Sequence, residues 1–257
     1  MGQFPNFLDL KYEISLKDVF NKDQKRFKVG LLVVATGKYI DFIKPLIESA
    51  DKYFCTNHDV TYYIFTDREP PKHPKIVKIS APHKKWPYTT LTRFHEYYKG
   101  RDQIASMDYL YACDADMLFV DNVANEILGE RVGTLHPGFL DKRGSYEIDN
   151  PDSPAYVKNE EGTHYFAGGF YGGRTPEVLK LLKTVTENVN KDLANDFIAV
   201  WHDESHLNRY FIDNQPTVIL NPSYCCPETL HPWFSEEVKS LPKKLIALDK
   251  DHDYIRE

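Results

Sequence analysis

The run Tyr109-Leu-Tyr-Ala-Cys113, apolar and broken off at Asp114-Ala115-Asp116, constrains this chain more than any other segment. Such a run predicts a buried strand. Its end would deliver two carboxylates to the rim of a sheet. Side chains alternate along an extended strand, so Asp114 and Asp116 are expected on the same side. Two hard oxygen ligands placed this way suit a divalent cation that also grips a phosphate. An isolated pair of this kind more often caps a strand and opens a turn. The surroundings shift the balance, because Met117-Leu-Phe-Val120 is apolar again and other motifs agree.

Further apolar runs at 29–35, 60–66 and 75–79 predict strands. Between the first two, Phe42, Ile43, Leu46, Ile47, Ala50 and Phe54 recur at helical spacing. A helix is expected over 90–106, ahead of the 109–113 strand. This alternation predicts an α/β fold with a mostly parallel sheet and helices on both faces. Ligands of such sheets sit beyond the carboxyl ends of strands, where Thr36, Asp67 and Asp114 fall. The second half is less regular: a strand over 132–136, a long loop over 138–162, and helices over 176–190 and 201–211. The glycine-dense segment 165–173 reads as tight turns, the default for such spacing, with close backbone approach to a ligand as the functional alternative. A metal clamp on phosphate, in this setting, serves an enzyme using a nucleotide sugar.

At 257 residues the chain can hold one large α/β domain or two small ones. No repeat, low-complexity tract or linker divides it, so one domain is expected. The net charge of −6 argues against a general nucleic-acid binder, which needs a basic surface. The 17 Tyr and 15 Phe can fill a core or line sugar platforms. Cys55, Cys113, Cys225 and Cys226 form no CxxC, and an adjacent pair is a poor disulfide framework. A reducing compartment with free, mostly buried thiols is expected. No signal peptide or transmembrane stretch is read, and 1–28 looks like an arm packing on the domain.

His202-Asp-Glu-Ser-His206 would place two histidines one turn apart on a helix, where they could hold zinc. A zinc protease needs glutamate directly after the first histidine; Asp203 stands there, which excludes that reading. The plainer alternative is a helix start with acids near the positive end of the dipole. Lys243, Lys244, Lys250 and Arg256 make a basic tail, either solvated or able to close on a diphosphate.

Together these motifs resemble glycosyltransferase family six, which includes the histo-blood-group A and B transferases, the α-1,3-galactosyltransferase and bacterial relatives. The matching stretches are Tyr62-Tyr-Ile-Phe-Thr-Asp67, Asp108-Tyr-Leu-Tyr-Ala-Cys-Asp-Ala-Asp-Met117, Gly133-Thr-Leu-His-Pro-Gly-Phe139, Gly168-Gly-Phe-Tyr-Gly-Gly173 and Ala199-Val-Trp-His-Asp-Glu-Ser-His-Leu-Asn208. The resemblance implies a single-domain GT-A glycosyltransferase fold, with a Rossmann-like nucleotide-binding half and a mixed central sheet. It divides the chain into the arm 1–28, a UDP-binding half over 29–120, a donor-sugar and acceptor half over 121–242, and a tail over 243–257. It further implies retaining transfer of galactose or N-acetylgalactosamine, in α-1,3 linkage, from a UDP donor to a glycan acceptor of the β-galactoside type, often fucosylated.

By the same resemblance, Asp114 and Asp116 bind Mn²⁺ against the UDP diphosphate. Arg93 meets the donor and the aspartates. Val34, Ala35, Thr36 and Tyr39 hold uridine. Ala167, Gly168 and Gly169 set donor specificity, and small residues there leave room for an acetamido group, so UDP-GalNAc is favoured over UDP-Gal. Asp203 grips the donor sugar. His136 and Trp201 face the acceptor. Glu204 is the nucleophile or the stabiliser of a developing oxocarbenium. Lys250 and Arg256 bind the diphosphate. Many bacterial relatives carry asparagine in place of both aspartates; this chain keeps them, which implies metal dependence. A form without an anchor suggests a bacterial or phage-borne cytoplasmic protein ahead of a trimmed Golgi enzyme. Two other readings stand beside this one: a phosphatase of the haloacid-dehalogenase type, disfavoured by Met117-Leu118 and the mid-chain position, and a non-catalytic glycan-binding protein, disfavoured by the presence of Glu204 and both aspartates.

Overall fold

Strand β1 (Lys28–Val34) sits between β2 (Asp59–Thr66) and β4 (Tyr109–Cys113), parallel to both. Period-two alternation decides where its side chains go. Val29, Leu31 and Val33 join a core with Ile43, Leu46, Ile47 and Ala50 of helix α1 (Ile43–Tyr53). Leu32 points the other way, into a second core with Phe94, Tyr97, Leu181 and Val185. The sheet is therefore buried on both faces, which is why its strands read as continuous apolar runs.

The computed structural model describes residues 25–256, so the arm expected over 1–28 lies outside them up to position 24. Seven strands form the main sheet in the order β3-β2-β1-β4-β7-β6-β8, with β3 (Ile76–Ser80), β6 (Arg131–Leu135), β7 (Phe166–Arg174) and β8 (Val218–Leu220) completing it. The strands β3, β2, β1 and β4 are mutually parallel, and β7 runs antiparallel to both β4 and β6. The sheet is mixed, as a GT-A-like domain requires.

Two expectations need correction. The glycine-dense segment is a central strand, not a set of turns. Its second half, from Phe170 on, pairs with β4, Tyr111 opposite Gly172 and Cys113 opposite Phe170. A Cβ on Gly172 would stand 2.2 Å from the Leu110 carbonyl oxygen, so glycine is what lets the two backbones approach. The helix over 90–106 is three short pieces: α2 (Tyr88–Leu91), α3 (Arg93–Lys99) and α4 (Arg101–Ile104). At the first break the Thr92 hydroxyl donates to the Tyr88 carbonyl at 2.7 Å and accepts from Lys84 at 2.7 Å. The break places Arg93 on a helix terminus, aimed at the end of β4.

Helix α5 (Thr175–Ala194) covers the second core through Val178, Leu181, Leu182, Val185 and Val189, an apolar stripe at helical spacing. Helix α6 (Asp203–Asp213) packs beside it. Beyond β4 the chain turns into β5 (Met117–Phe119), which joins β10 (Leu245–Ala247) and β9 (Cys226–Pro227) in a small second sheet. That pairing returns the tail to the aspartates and ends in α8 (His252–Arg256), after the short α7 (Glu236–Ser240). Cys55, Cys113 and Cys226 are buried, Cys225 is partly so, and all four are free thiols. Among the described residues no helix is long and apolar enough to cross a membrane.

Candidate active site

Strand β4 stops at Cys113, and Asp114-Ala115-Asp116 is a turn. The two carboxylates still face one cleft, but strand alternation is not the cause. The Asp114 N–H donates to the Gly169 carbonyl at 3.0 Å, holding it one residue beyond the β4–β7 ladder. The Asp116 carbonyl accepts from the Leu248 N–H at 2.8 Å, fixing the turn to the tail.

Two cavities meet at this turn, and Asp114, Asp116 and Lys250 line both. The first lies beyond the carboxyl ends of β1 and β4, between Val34, Tyr39, His83, Trp86 and Arg93. This is the point where strand order reverses, the expected ligand position in an open α/β sheet. The second is bounded by His136, Ala167, Gly168, Gly169, Glu204 and Cys225. One ligand lying across both would have its middle at the aspartates.

Opposite charges are concentrated there. Arg93 Nη1 contacts Asp114 Oδ1, and Arg93 Nε sits 2.6 Å from Asp203 Oδ2. Burial alone would lower the guanidinium pKa; the two aspartates outweigh it and raise it. Burial lifts the Asp203 carboxyl to about 7, with Arg93 acting against the rise. Asp116 is raised by burial first and by Asp114 second, and the Lys250 ammonium, seated on its Oδ2, opposes both. Among the described residues no three His, Cys, Asp or Glu gather as a metal site. The donors at the cleft are two carboxylates, a hard oxygen set that leaves remaining coordination to a ligand phosphate. Such a pair is of the kind Mg²⁺ or Mn²⁺ takes.

Glu204 opens α6 beside Asp203, where the helix dipole favours acids. Its Oε1 accepts from the Tyr165 hydroxyl at 2.8 Å, and its Oε2 from the Gly168 N–H at 2.7 Å. Burial, and after it Glu204, raise the Tyr165 pKa, so the phenol keeps its proton and remains a donor. The preceding His202 has φ +54°, ψ −124°, an unusual conformation for a residue with a side chain. It starts the helix at Asp203, two residues later than expected, and takes His202 off the helix. His206 is buried beside Asp192, Nε2 to Oδ2 3.2 Å, so the two histidines do not pair as zinc ligands.

Most sequence-assigned residues converge on this cleft. Val34, Tyr39, Asp114, Asp116, Arg93 and Lys250 line the first cavity; His136, Ala167, Gly168, Gly169 and Glu204 line the second. Ala35 and Thr36 do not reach the cavity surface: both are buried, and the Thr36 hydroxyl lies 3.2 Å from His83 Nδ1. Asp203 lines neither cavity; its Oδ2 meets Arg93, which lines the first. Trp201 does not line the second cavity; it is half exposed and donates Nε1–H to the Ser145 hydroxyl at 2.7 Å. Arg256 closes α8, and its side chain lies outside the described residues. Tyr165, His83, Trp86 and Cys225 were not foreseen. Tyr165 lies 39 positions from Glu204, and no local pattern signals such a contact.

A mixed sheet with a cleft at its strand-order reversal, acidic turn and basic tail across it, defines a GT-A-like glycosyltransferase. The chain belongs to glycosyltransferase family 6, whose family model matches residues 7–257. It is 38% identical over 255 residues to histo-blood group ABO system transferase 1 of Rattus norvegicus, covering 93% of this chain and 72% of the relative. It is 32% identical over 244 residues to globoside alpha-1,3-N-acetylgalactosaminyltransferase 1 of Homo sapiens, covering 89% and 68%. It is 25% identical over 232 residues to O-antigen biosynthesis glycosyltransferase WbnI of Escherichia coli, covering 88% and 96%.

Proposed function

We propose that this glycosyltransferase moves N-acetylgalactosamine from UDP-GalNAc, with retention, in α-1,3 linkage onto a β-galactoside-type glycan, in a reducing, cytoplasmic compartment. One observation carries the reading. A carboxylate held at both oxygens, Glu204, faces the second cavity, and the aspartates and Lys250 stand where that cavity joins the first.

UDP lies in the first cavity in this reading, with its diphosphate at the turn. Asp114 and Asp116 would hold Mn²⁺, which supplies positive charge against the diphosphate as negative charge develops on it. Arg93, locked between Asp114 and Asp203, keeps a fixed cation beside the leaving group. Lys250 supplies a second. The donor sugar lies over Ala167–Gly169. A Cβ on Gly169 would stand 2.8 Å from Cys225 Sγ, so a larger residue would have to displace that floor. Cys225 fills that side of Gly169, so the preference for an acetamido group rests on the small side chains of Ala167 and Gly168, which line the same cavity. Glu204 serves the anomeric carbon, by attack followed by displacement or by its charge alone, and the departing phosphate can take the acceptor proton.

The test is UDP release from UDP-GalNAc and from UDP-Gal, each with and without Mn²⁺, with fucosyl-lactose as acceptor. Acceptor-stimulated, Mn²⁺-dependent release from UDP-GalNAc is expected. Equal release from both donors would remove the acetamido argument. Release from neither would point to a different acceptor or to a glycan-binding role.

A further inference from the structure

Trp233 is the most exposed tryptophan of the chain, 61% accessible, against 48% for Trp86 and 49% for Trp201. Rings of its own loop pack against it. Phe234 is buried and covers one face of the indole, ring centroids 3.9 Å apart at 30°. The His231 ring lies within 8° of the indole plane at 6.3 Å. On the other flank, a Cβ on Gly138 would come within 3.3 Å of Trp233 Cζ3. The indole thus rests beside the His136–Phe139 turn. With Phe234 against it and the His231 ring near-parallel at 6.3 Å, Trp233 still keeps 61% of its surface accessible.

Neighbours on both sides of this indole, His231 and Phe234 from its own loop and His136 and Pro137 from the turn, line the cavity that contains Glu204. Trp233 itself does not line that cavity; it stands at its border, between the residues that do. A flat, apolar ring at the border of a polar cleft matches the C–H face of a pyranose, which an aromatic ring stacks while the hydroxyls stay solvated.

We infer that Trp233 is a stacking platform for a sugar ring of the acceptor glycan, the ring attached to the reacting galactose rather than that galactose itself. The inference rests on the proposed transfer to a galactoside. It adds a subsite that selects oligosaccharides over single sugars.

The test compares KM for methyl β-galactoside with KM for 2′-fucosyllactose in the intact chain, in Trp233→Ala and in Trp233→Phe. One lost stacking contact is worth about tenfold. The ratio of the two KM values should fall about tenfold in Trp233→Ala and be largely restored in Trp233→Phe. A ratio unchanged in Trp233→Ala overturns the platform. Should the intact protein glycosylate neither sugar, the proposed acceptor is wrong, and a titration of tryptophan fluorescence with 2′-fucosyllactose, in the presence of UDP and Mn²⁺, decides the platform by itself. Quenching that Trp233→Ala abolishes supports it. Quenching that survives the substitution, or no quenching, overturns it.

Discussion

Tyr165 donates its phenolic hydrogen to Glu204 Oε1 at 2.8 Å, across 39 positions of sequence. The ring cannot drift: His136, Phe139 and Tyr146 all meet it edge-on, with centroids 4.8–5.7 Å away. Tyr165 therefore sets the direction of a carboxylate whose other oxygen the Gly168 N–H already holds.

Removing that hydroxyl tests the arrangement. A hydrogen bond to a charged group contributes about 1.5–3 kcal/mol. Tyr165→Phe should lower kcat about ten- to hundredfold, with little change in UDP affinity. Glu204→Gln should nearly abolish transfer, again with UDP binding intact. Steady-state kinetics and UDP titration calorimetry check both. Unchanged turnover in Glu204→Gln would remove this carboxylate from the mechanism.

The acidic turn gives a second expectation. In Asp114→Asn with Asp116→Asn, stimulation by Mn²⁺ should be lost, because the amides keep the shape but not the charge that attracts a hard cation. Wild-type activity should fall in excess EDTA and return with Mn²⁺. Full activity in EDTA would contradict the metal assignment.

A third concerns acid. Burial lowers the His136 pKa, with Glu204 acting against it, and its Nδ1 accepts the Gly138 N–H at 3.0 Å, a bond that only an unprotonated Nδ1 can accept. The unfolded chain binds the extra proton below about pH 6.5, before the native state does. Stability contributed by neutral His136 is thus complete above that pH and is lost as pH falls toward the lowered native value. Melting temperature against pH should be steeper just below about pH 6.5 in the intact chain than in His136→Asn, whose amide oxygen can still accept the Gly138 N–H. Equal slopes would refute this.

The last is packing. Phe170 is fully buried on β7, stacked on Tyr111 at 5.6 Å and edge-on to Phe54 and Phe119. Phe170→Ala should cost about 3–5 kcal/mol of stability in denaturant unfolding, since a rigid aromatic cage collapses poorly on a void.

Periodicity and local chemistry determined much of this protein. The runs at 29–35, 60–66 and 109–113 became strands because alternation against two cores leaves no polar face to hide. The amphipathic stripes of α1 and α5 were equally legible, because a helix repeats its contact pattern within a few residues. The long motifs brought the family, and with it Asp114, Asp116, Arg93 and Glu204. Tertiary structure decided the rest. The segment 165–173 is a strand because β4 offers a partner whose approach only glycine permits, and its glycines cannot announce that partner locally. The aspartates face one cleft through a turn pinned by Gly169 and Leu248, not through strand alternation. Tyr165 reaches Glu204, and Trp233 lies beside the His136–Phe139 turn, because separate loops fold to one edge of the sheet. Such contacts depend on where distant backbone comes to rest, and no window of neighbouring residues contains that information.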